Sequence, residues 1–437
     1  MKKKLIVLTM IACMCLSTVG CTKKTESVND TNTKDKVVTI QFMHQQVEKE
    51  RQDAVQKIIS GFELKNPNIK IEQMPVNEDD YDTKITTLGG NGELPAIIEL
   101  SQDQAKTNAK NEFTDLDAVN SVIKSKGESN FFEGVLPVAK TEDGANYVGV
   151  PVSGWIQGIW VNKAMLAKKG FEVPKNWADV TKIAKAFYDP SKKMYGISLP
   201  TANVAFTEQV FSQFALSNGA NVFDANGKVT FNTPEMKEAM KYYAELASYS
   251  MPGSTDVANV KDAFVSQNTP MALYSTYILG GVVDAGFKDD LAFTLPTNKK
   301  SSAYGCVTVL SITKGMEADK TAAAKKFLSY LLEDENNIDW LHIAPGGVQP
   351  VIKTVSVSKV YLDNKTIQAF AHINKDISSA FDNLQVFGSV NGKNFTVMGD
   401  ITNKSIISKA LNNIIVQHAD IEKEATAAEK SIEDLVK

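Results

Sequence analysis

The chain has 437 residues, with 47 Lys and Arg against 51 Asp and Glu, which gives a formal net charge of −4. No basic stripe with interleaved aromatic residues appears, so we expect no nucleic-acid partner. After residue 36 the sequence runs for about 400 residues without a long apolar stretch, which excludes a further membrane span and predicts two lobes rather than one core.

The amino-terminal segment is typical of an export signal. Residues 2–4 are lysines, and residues 5–16 form an apolar run that is too short to span a bilayer. Small residues then precede Cys21, although Thr18 stands where a lipobox usually has Leu. We predict a signal peptide over residues 1–20 and lipidation at Cys21; an ordinary signal peptide that contains cysteines is the alternative. The protein is then extracytoplasmic and lipid-anchored to the cell membrane.

The segment after Cys21 is almost entirely polar. It cannot bury enough apolar surface to offset the entropy of ordering, so we predict a lipidated cysteine and flexible tether over residues 21–36. Of the four cysteines, Cys13 and Cys15 leave with the signal peptide. Cys306 alone remains in the folded part, and its apolar surroundings predict a buried strand residue rather than a reactive thiol.

The first elements alternate between strands and helices. Strands are predicted at residues 37–43, 69–74 and 95–100, and helices at residues 47–64 and 81–88. This order indicates an α/β fold with a mostly parallel sheet that is covered on both faces. Ligands bind such sheets beyond the carboxyl ends of the strands, so we expect binding residues in the loops at 44–46 and 101–103. His44 is expected to be a satisfied loop histidine.

Five sequence blocks occur in the order found in one known family, at residues 62–70, 81–98, 147–179, 264–274 and 322–331. The most specific block contains YVGVPVS, IWVNK and GFEVPKNWAD. With these blocks the chain resembles the family 1 extracellular solute-binding proteins of ABC importers, to which maltose-binding protein is a distant relative. Ala96, Val161 and Asn176 depart from the residues that are usual in these blocks.

The resemblance implies a two-lobed, type II periplasmic-binding-protein-like fold, each lobe a mixed, mostly parallel sheet flanked by helices. The implied N-terminal lobe comprises residues 37–149 and 296–345, and the C-terminal lobe residues 150–295 and 346–437. A three-segment hinge joins them, and Pro or Gly lies between periodic segments at each crossing. Such a protein closes over its solute. We expect a monomer that delivers a small carbohydrate to separate ABC permease membrane subunits.

A carbohydrate site needs aromatic rings for the C–H faces of the sugar, and Asp, Asn or Gln for its hydroxyls. The predicted rings lie beside family blocks and are Trp155, Phe206, Tyr277 and Tyr304. In the family, the position of Tyr277 often holds a Trp that stacks on sugar. The predicted polar contacts follow strands and are Gln45, Gln102 and Asp103. A core position is the alternative for each ring.

Three other interpretations stay open. Arg51 lies close to the first cleft loop and would suit glycerol 3-phosphate or another anionic solute. An exported enzyme is the second, but we find no His-Glu-x-x-His or Gly-x-Ser-x-Gly motif, and predict no catalytic residue, metal or cofactor. A surface interaction protein is the third, because the charged helix at 421–437 could contact another protein. The segment 382–402 is either a specificity loop over the cleft or a surface hairpin.

Overall fold

The computed structural model describes residues 37–437, which form one unit. The predicted signal peptide, the lipidation site at Cys21 and the tether lie outside the described residues. Within residues 37–437, no helix is both long enough and apolar enough to cross a membrane.

The main sheet has seven strands in the order β2-β1-β3-β7-β4-β5, with β6 paired to β4. Its strands are β1 Val38–His44, β2 Ile69–Pro75, β3 Ile97–Ser101, β4 Val150–Asn162, β5 Met271–Ser275, β6 Leu291–Thr294 and β7 Tyr304–Ile312. A two-stranded hairpin adds β8 Ser389–Val390 and β9 Lys393–Asn394. The predicted α/β class with a mixed sheet is confirmed.

Parallel pairing is confined to one end of the sheet. Strand β1 pairs in parallel with β2 and β3, whereas β3–β7, β4–β7, β4–β5 and β4–β6 are antiparallel. The expectation of a mostly parallel sheet is wrong for this part of the chain, because β7 returns from late in the sequence and runs against both β3 and β4. Strand β4 is the longest and pairs with β7 in its first half and with β5 and β6 in its second half.

Of the helices in the first half, the two predicted at residues 47–64 and 81–88 begin and end within three residues of the expected positions. The helices of this half are α1 Lys49–Lys65, α2 Glu78–Asn91, α3 Gln102–Lys110, α4 Leu116–Lys126, α5 Val135–Val138, α6 Lys163–Ala167, α7 Trp177–Phe187 and α8 Ala205–Ser217. Helix α1 buries Val55, Ile58, Ile59 and Phe62, which recur at helical spacing on one face. Asn176 caps α7, since its side chain accepts a hydrogen bond from the Asp179 amide at 2.9 Å.

The helices of the second half are shorter on average. They are α9 Pro234–Ala247, α10 Val257–Val265, α11 Leu279–Asp284, α12 Ala318–Leu331, α13 Asp334–Leu341, α14 Lys353–Ser356, α15 Lys359–Leu362, α16 Lys365–Gln368, α17 Asn374–Ser379, α18 Met398–Asn403, α19 Ile406–Val416 and α20 Ile421–Val436. Helix α20 buries Ala425, Ala428 and Ile432 and packs on α9 and α19. Its apolar face is therefore used within the chain.

The buried apolar side chains form two clusters, which we call the first core and the second core. The first core joins β1–β3 and α1–α5 with much of β7 and with residues 351–386. The second core joins α6–α9 with α19 and α20. Strand β4 contributes to both, through Val150 and Ile156 on one side and Ile159 and Val161 on the other. The lobe boundaries at 149, 296 and 346 stay a prediction. That prediction assigns residues 346–437 to the C-terminal lobe, whereas residues 351–386 pack with the first core.

Candidate functional site

Two cavities adjoin each other near the carboxyl ends of β1 and β3. One has a volume of about 550 Å³ and includes Gln45 and Trp155; we call it the Trp155 cavity. The other has a volume of about 340 Å³ and includes Asp103 and Glu208; we call it the Glu208 cavity. Gln104 lines both cavities.

Three aromatic residues line the Trp155 cavity: Trp155, Tyr277 and Trp340. Trp155 lies in β4, and Tyr277 lies just after β5 with 52% of its surface exposed. The ring of Tyr277 rests on Gly347, where an added Cβ would lie 2.9 Å from its Cε1 atom. Trp155 in turn lies beside Tyr304, with ring centroids 5.8 Å apart. An exposed ring held on a glycine backbone offers a flat apolar face to a ligand.

A buried carboxylate holds the loop after β1 in place. Glu99, in β3, accepts hydrogen bonds from the Gln45 amide at 2.9 Å and from Gln46 Nε2 at 3.0 Å. Burial raises the pKa of Glu99 because a low-dielectric environment disfavours its charge. These contacts fix the backbone from which the Gln45 side chain extends at the cavity wall.

His44 is part of the same support. Its Nδ1 accepts the Gln46 amide at 3.2 Å, and its Nε2 lies 3.1 Å from Gln73 Oε1. Burial lowers the pKa of His44 to about 4, so the imidazole is neutral at pH 7 and donates to Gln73. Both ring nitrogens therefore have protein partners, as expected for a satisfied loop histidine.

Arg51, the basis of the anionic alternative, lines the Trp155 cavity beside acidic groups. Its Nε lies 3.5 Å from a carboxylate oxygen of Glu48, and Glu78 and Glu99 line the same cavity. The positive charge thus shares the cavity with three carboxyl groups. This charge balance disfavours a phosphorylated ligand, which would need unpaired cations.

The Glu208 cavity has walls from both cores. Asp103 and Lys106 come from α3, Glu208 from α8 and Tyr304 from the start of β7. Lys106 Nζ lies 3.0 Å from Asp103 Oδ1, and the lysine side chain is only 8% exposed, whereas that of Asp103 is 63% exposed. Burial, followed by the charge of Asp103, raises the pKa of Tyr304 well above its usual value. The phenol therefore stays protonated and can donate a hydrogen bond into the cavity.

Two of the predicted site residues do not line either cavity. Gln102 is buried, and its Oε1 accepts the Val307 amide at 2.6 Å, which ties α3 to β7. Phe206 packs edge-on against Tyr274, with ring centroids 5.8 Å apart. The other predicted residues are brought to the cavities: Gln45, Asp103, Trp155, Tyr277 and Tyr304. Contact of any of them with a ligand stays a prediction.

The segment 386–403 forms one wall of the Glu208 cavity. Phe395 anchors it beside the second core, with its ring centroid 5.0 Å from that of Phe223. On the other side, Asn394 Nδ2 donates to the carbonyl of Pro137 at 3.0 Å, and Thr396 Oγ1 donates to Glu142 Oε2 at 2.8 Å. The segment therefore bridges the second core and the turn at residues 140–147 while it borders the cavity.

Sequence reasoning missed Glu208 and Thr402. Thr402 Oγ1 donates to Glu208 Oε1 at 2.6 Å across the Glu208 cavity wall. The two residues are far apart in sequence, so no local pattern joins them. One signal was present: Glu208 is the single charged residue in the otherwise uncharged sequence of α8, AFTEQVFSQFALS.

Among residues 37–437, no group of three or more His, Cys, Asp and Glu side chains could hold a metal ion. Cys306 lies in β7, as predicted, but it is half-buried and lines the Trp155 cavity. Burial, with the charge of Asp103, raises the pKa of its thiol to about 12, which leaves it protonated and unreactive at neutral pH.

Aromatic faces, amides and carboxyl groups around paired cavities, on a two-core α/β fold, define a protein that binds a solute noncovalently. The chain belongs to the bacterial extracellular solute-binding protein family, whose model matches residues 48–338. Members of this family bind solutes and are not enzymes, and the resemblance noted from the sequence blocks is confirmed.

A relative matches the whole chain. The putative ABC transporter periplasmic-binding protein YcjN of Escherichia coli (strain K12) is 44% identical over 436 residues, which cover 100% of this chain and 99% of YcjN. The maltotriose-binding protein of Pyrococcus abyssi is 23% identical over 215 residues, 48% of this chain and 45% of its own length.

Solved structures share the fold. The cyclic alpha-maltosyl-1,6-maltose binding protein from Arthrobacter globiformis superposes with a TM-score of 0.75 at 17% identity, over 91% of this chain and 98% of the other. The sugar-binding protein MalE from Xanthomonas citri gives a TM-score of 0.74 at 16% identity, over 91% and 97%. The two-lobed architecture of these proteins confirms the predicted fold class.

Proposed function

We propose that this chain is the extracytoplasmic solute-binding lipoprotein of an ABC importer and that it captures a small carbohydrate. The carbohydrate lies in the Trp155 cavity and extends toward the Glu208 cavity. Closure of the two lobes about β4 and β7 encloses it, and the closed form is presented to permease membrane subunits. Lipidation at Cys21 keeps the protein, a monomer, at the cell membrane.

The observation that carries the carbohydrate assignment is the pairing of Trp155 and Tyr277 in one cavity wall with amide side chains. Rings of this kind stack on the C–H face of a sugar, and each stack contributes about 0.5–1.5 kcal/mol beyond the area that it buries. Gln45 lines the same cavity, and its side-chain amide offers both a donor and an acceptor to hydroxyls. The mixed polar and aromatic wall suits a neutral polyol.

The importer assignment is supported by the 44% identity to YcjN over almost the whole of both chains. The maltotriose-binding protein of Pyrococcus abyssi and the two sugar-binding proteins of similar fold support a carbohydrate ligand. Two structures of related fold carry smaller ligands, tagatose and ribitol, so the fold accommodates more than one ligand size. The size of the solute that this chain binds therefore has to be determined by experiment.

Isothermal titration calorimetry on the domain from residue 37 onward tests the proposal. The ligands are maltose, tagatose, ribitol and glycerol 3-phosphate, and the variants are Trp155→Ala and Tyr277→Ala. Tyr188→Ala is the matched control, because Tyr188 is half-buried and packs on Tyr249 away from both cavities.

We expect binding of at least one carbohydrate, with affinity reduced in the two cavity variants and unchanged in the control. Binding of glycerol 3-phosphate alone would assign the anionic class and make Arg51 the residue to test. Binding of no ligand, or equal binding by all variants, would contradict the carbohydrate proposal.

The membrane anchor needs a separate test on the full chain. A Cys21→Ser variant should appear in the soluble extracytoplasmic fraction, because without the thiol no diacylglycerol can be attached. The wild type should sediment with membranes. If both partition alike, Cys21 is not the anchor, while the binding proposal is unaffected.

A further inference from the structure

Glu208 is a buried carboxyl group at the wall of a cavity, with one oxygen that has no partner. The residue is 7% exposed. Its Oε1 accepts a hydrogen bond from Thr402 Oγ1 at 2.6 Å. Its Oε2 is buried and has no hydrogen-bond partner among the described residues. Buried polar atoms are normally paired, so an orphan carboxyl oxygen beside a cavity calls for a donor that the protein does not supply.

The charges near Glu208 do not supply that donor. Asp103 lines the same cavity and repels a negative charge on Glu208, and Lys106 is already paired with Asp103 at 3.0 Å. Burial and Asp103 together raise the pKa of Glu208 to about 7, although the Thr402 hydrogen bond opposes the rise. Tyr304 is the remaining titratable group in the cavity wall.

Other charged groups lie on the helices that pack against α8, but none of them lines the cavity. On α18 and at its end these are Asp400 and Lys404, both exposed. On α9 and α19 they are Glu235, Lys237, Glu238, Lys241, Glu245 and Lys409. Lys106, which is paired with Asp103, is therefore the one cation among the described residues that line the cavity.

We propose that Glu208 is a ligand-contact residue that accepts a hydrogen bond from a hydroxyl or ammonium group of the bound solute and thereby makes binding depend on pH. The inference rests on the proposed function, since it places the far end of that solute in the Glu208 cavity. Glu208 lines the cavity, and the last torsion of its side chain is soft, so a small rotation adjusts the carboxyl group to the donor.

The direction of the pH dependence follows from the contact. A donor from the ligand stabilises the ionised carboxylate, so binding releases a proton when Glu208 is protonated beforehand. A group with a pKa of about 7 is about nine-tenths ionised at pH 8 and about one-tenth at pH 6. Affinity should then fall about tenfold between pH 8 and pH 6.

Calorimetry at pH 8 and pH 6 tests the inference. The probes are maltose, tagatose and ribitol, with sorbitol and 1-amino-1-deoxysorbitol as a pair that differs only in a hydroxyl replaced by an amine. The variants are Glu208→Gln, which keeps the shape of the side chain, and Asp400→Asn, a control that removes an exposed carboxylate outside the cavity. Melting temperatures check that each variant is folded.

For the wild type and the control we expect the tenfold loss of affinity at pH 6 and proton release on binding. Glu208→Gln should bind at least several-fold more weakly at pH 8 and show no difference between the two pH values. Tighter binding of the amine than of sorbitol assigns an ammonium group to the subsite, and the reverse assigns a hydroxyl.

Two outcomes would overturn the inference, and they differ in what they say of the proposed function. Equal pH dependence in the wild type and Glu208→Gln, with binding still lost in Trp155→Ala, rejects the role of Glu208 and leaves the carbohydrate site standing. Absence of binding of every probe to the wild type rejects both.

Discussion

Replacing Glu208 by Gln should change how the stability of the ligand-free protein depends on pH. In the wild type the buried carboxyl has a pKa of about 7, against a usual value of 4.5. The folded state therefore binds the proton more tightly than the unfolded state. The stabilisation from this proton is complete below about pH 4.5 and is lost as the pH rises through about 7.

The size of the effect follows from the two pKa values. Each pH unit between them corresponds to about 1.4 kcal/mol, so the full difference is about 3 kcal/mol. Between pH 5.5 and pH 8 about 2 kcal/mol of this is lost, because the carboxyl is only partly titrated at either end of the range. The amide side chain of the Glu208→Gln variant cannot titrate, so the variant escapes this loss.

Urea denaturation of both proteins at pH 5.5 and pH 8 measures the effect. Other groups also titrate in this range, so the quantity of interest is the free energy of unfolding of Glu208→Gln minus that of the wild type. This difference should increase by about 2 kcal/mol from pH 5.5 to pH 8. A difference that stays constant would refute the reasoning, since Glu208 would then have the same pKa in both states.

Three further predictions concern other parts of the site. His44→Gln should remove about 3 kcal/mol of acid sensitivity between pH 6.5 and pH 4. The histidine pKa of about 4 lies below the unfolded value, so its stabilisation is present above pH 6.5 and is lost as the pH falls through 4. Urea denaturation at pH 4.5 and 7 measures this, and an equal loss of unfolding free energy in the variant and the wild type would contradict it. Gly347→Ala should push the Tyr277 ring aside and weaken carbohydrate binding by roughly 2- to 13-fold, with little change in melting temperature; unchanged affinity would show that the ring does not contact the ligand. Asn394→Ala removes the hydrogen bonds from Nδ2 to two backbone carbonyls and should speed ligand dissociation up to about tenfold in stopped-flow fluorescence, whereas an unchanged rate would mean that the segment stays closed during release.

Much of the fold could be predicted because it depends on local patterns. The period-2 and period-3.6 placement of apolar residues located β1, α1, β2 and α2 to within a few residues. Glycine and proline between periodic segments placed the predicted crossings, but nothing local indicates that residues 351–386 pack with the first core. The antiparallel returns of β7 are likewise a property of the assembled sheet.

The site was predictable where a residue follows directly from the end of a strand. Gln45 follows β1 and Asp103 follows β3, and both line a cavity. The direction of a side chain was not predictable, since Gln102 differs from Asp103 by one position and points to the Val307 amide instead. Glu208 was not predicted as a site residue because its environment includes Thr402, which only the folded chain brings within 2.6 Å.

The central claim is that this family member binds a small carbohydrate on Trp155 and Tyr277, and titration calorimetry of the wild type and Trp155→Ala against the carbohydrate panel tests it most directly. We predict one-to-one binding to the wild type near micromolar affinity, about −8 kcal/mol, and a loss of affinity in the variant while Tyr188→Ala binds normally. Wild-type binding that survives unchanged in Trp155→Ala, or that occurs only with glycerol 3-phosphate, would contradict it.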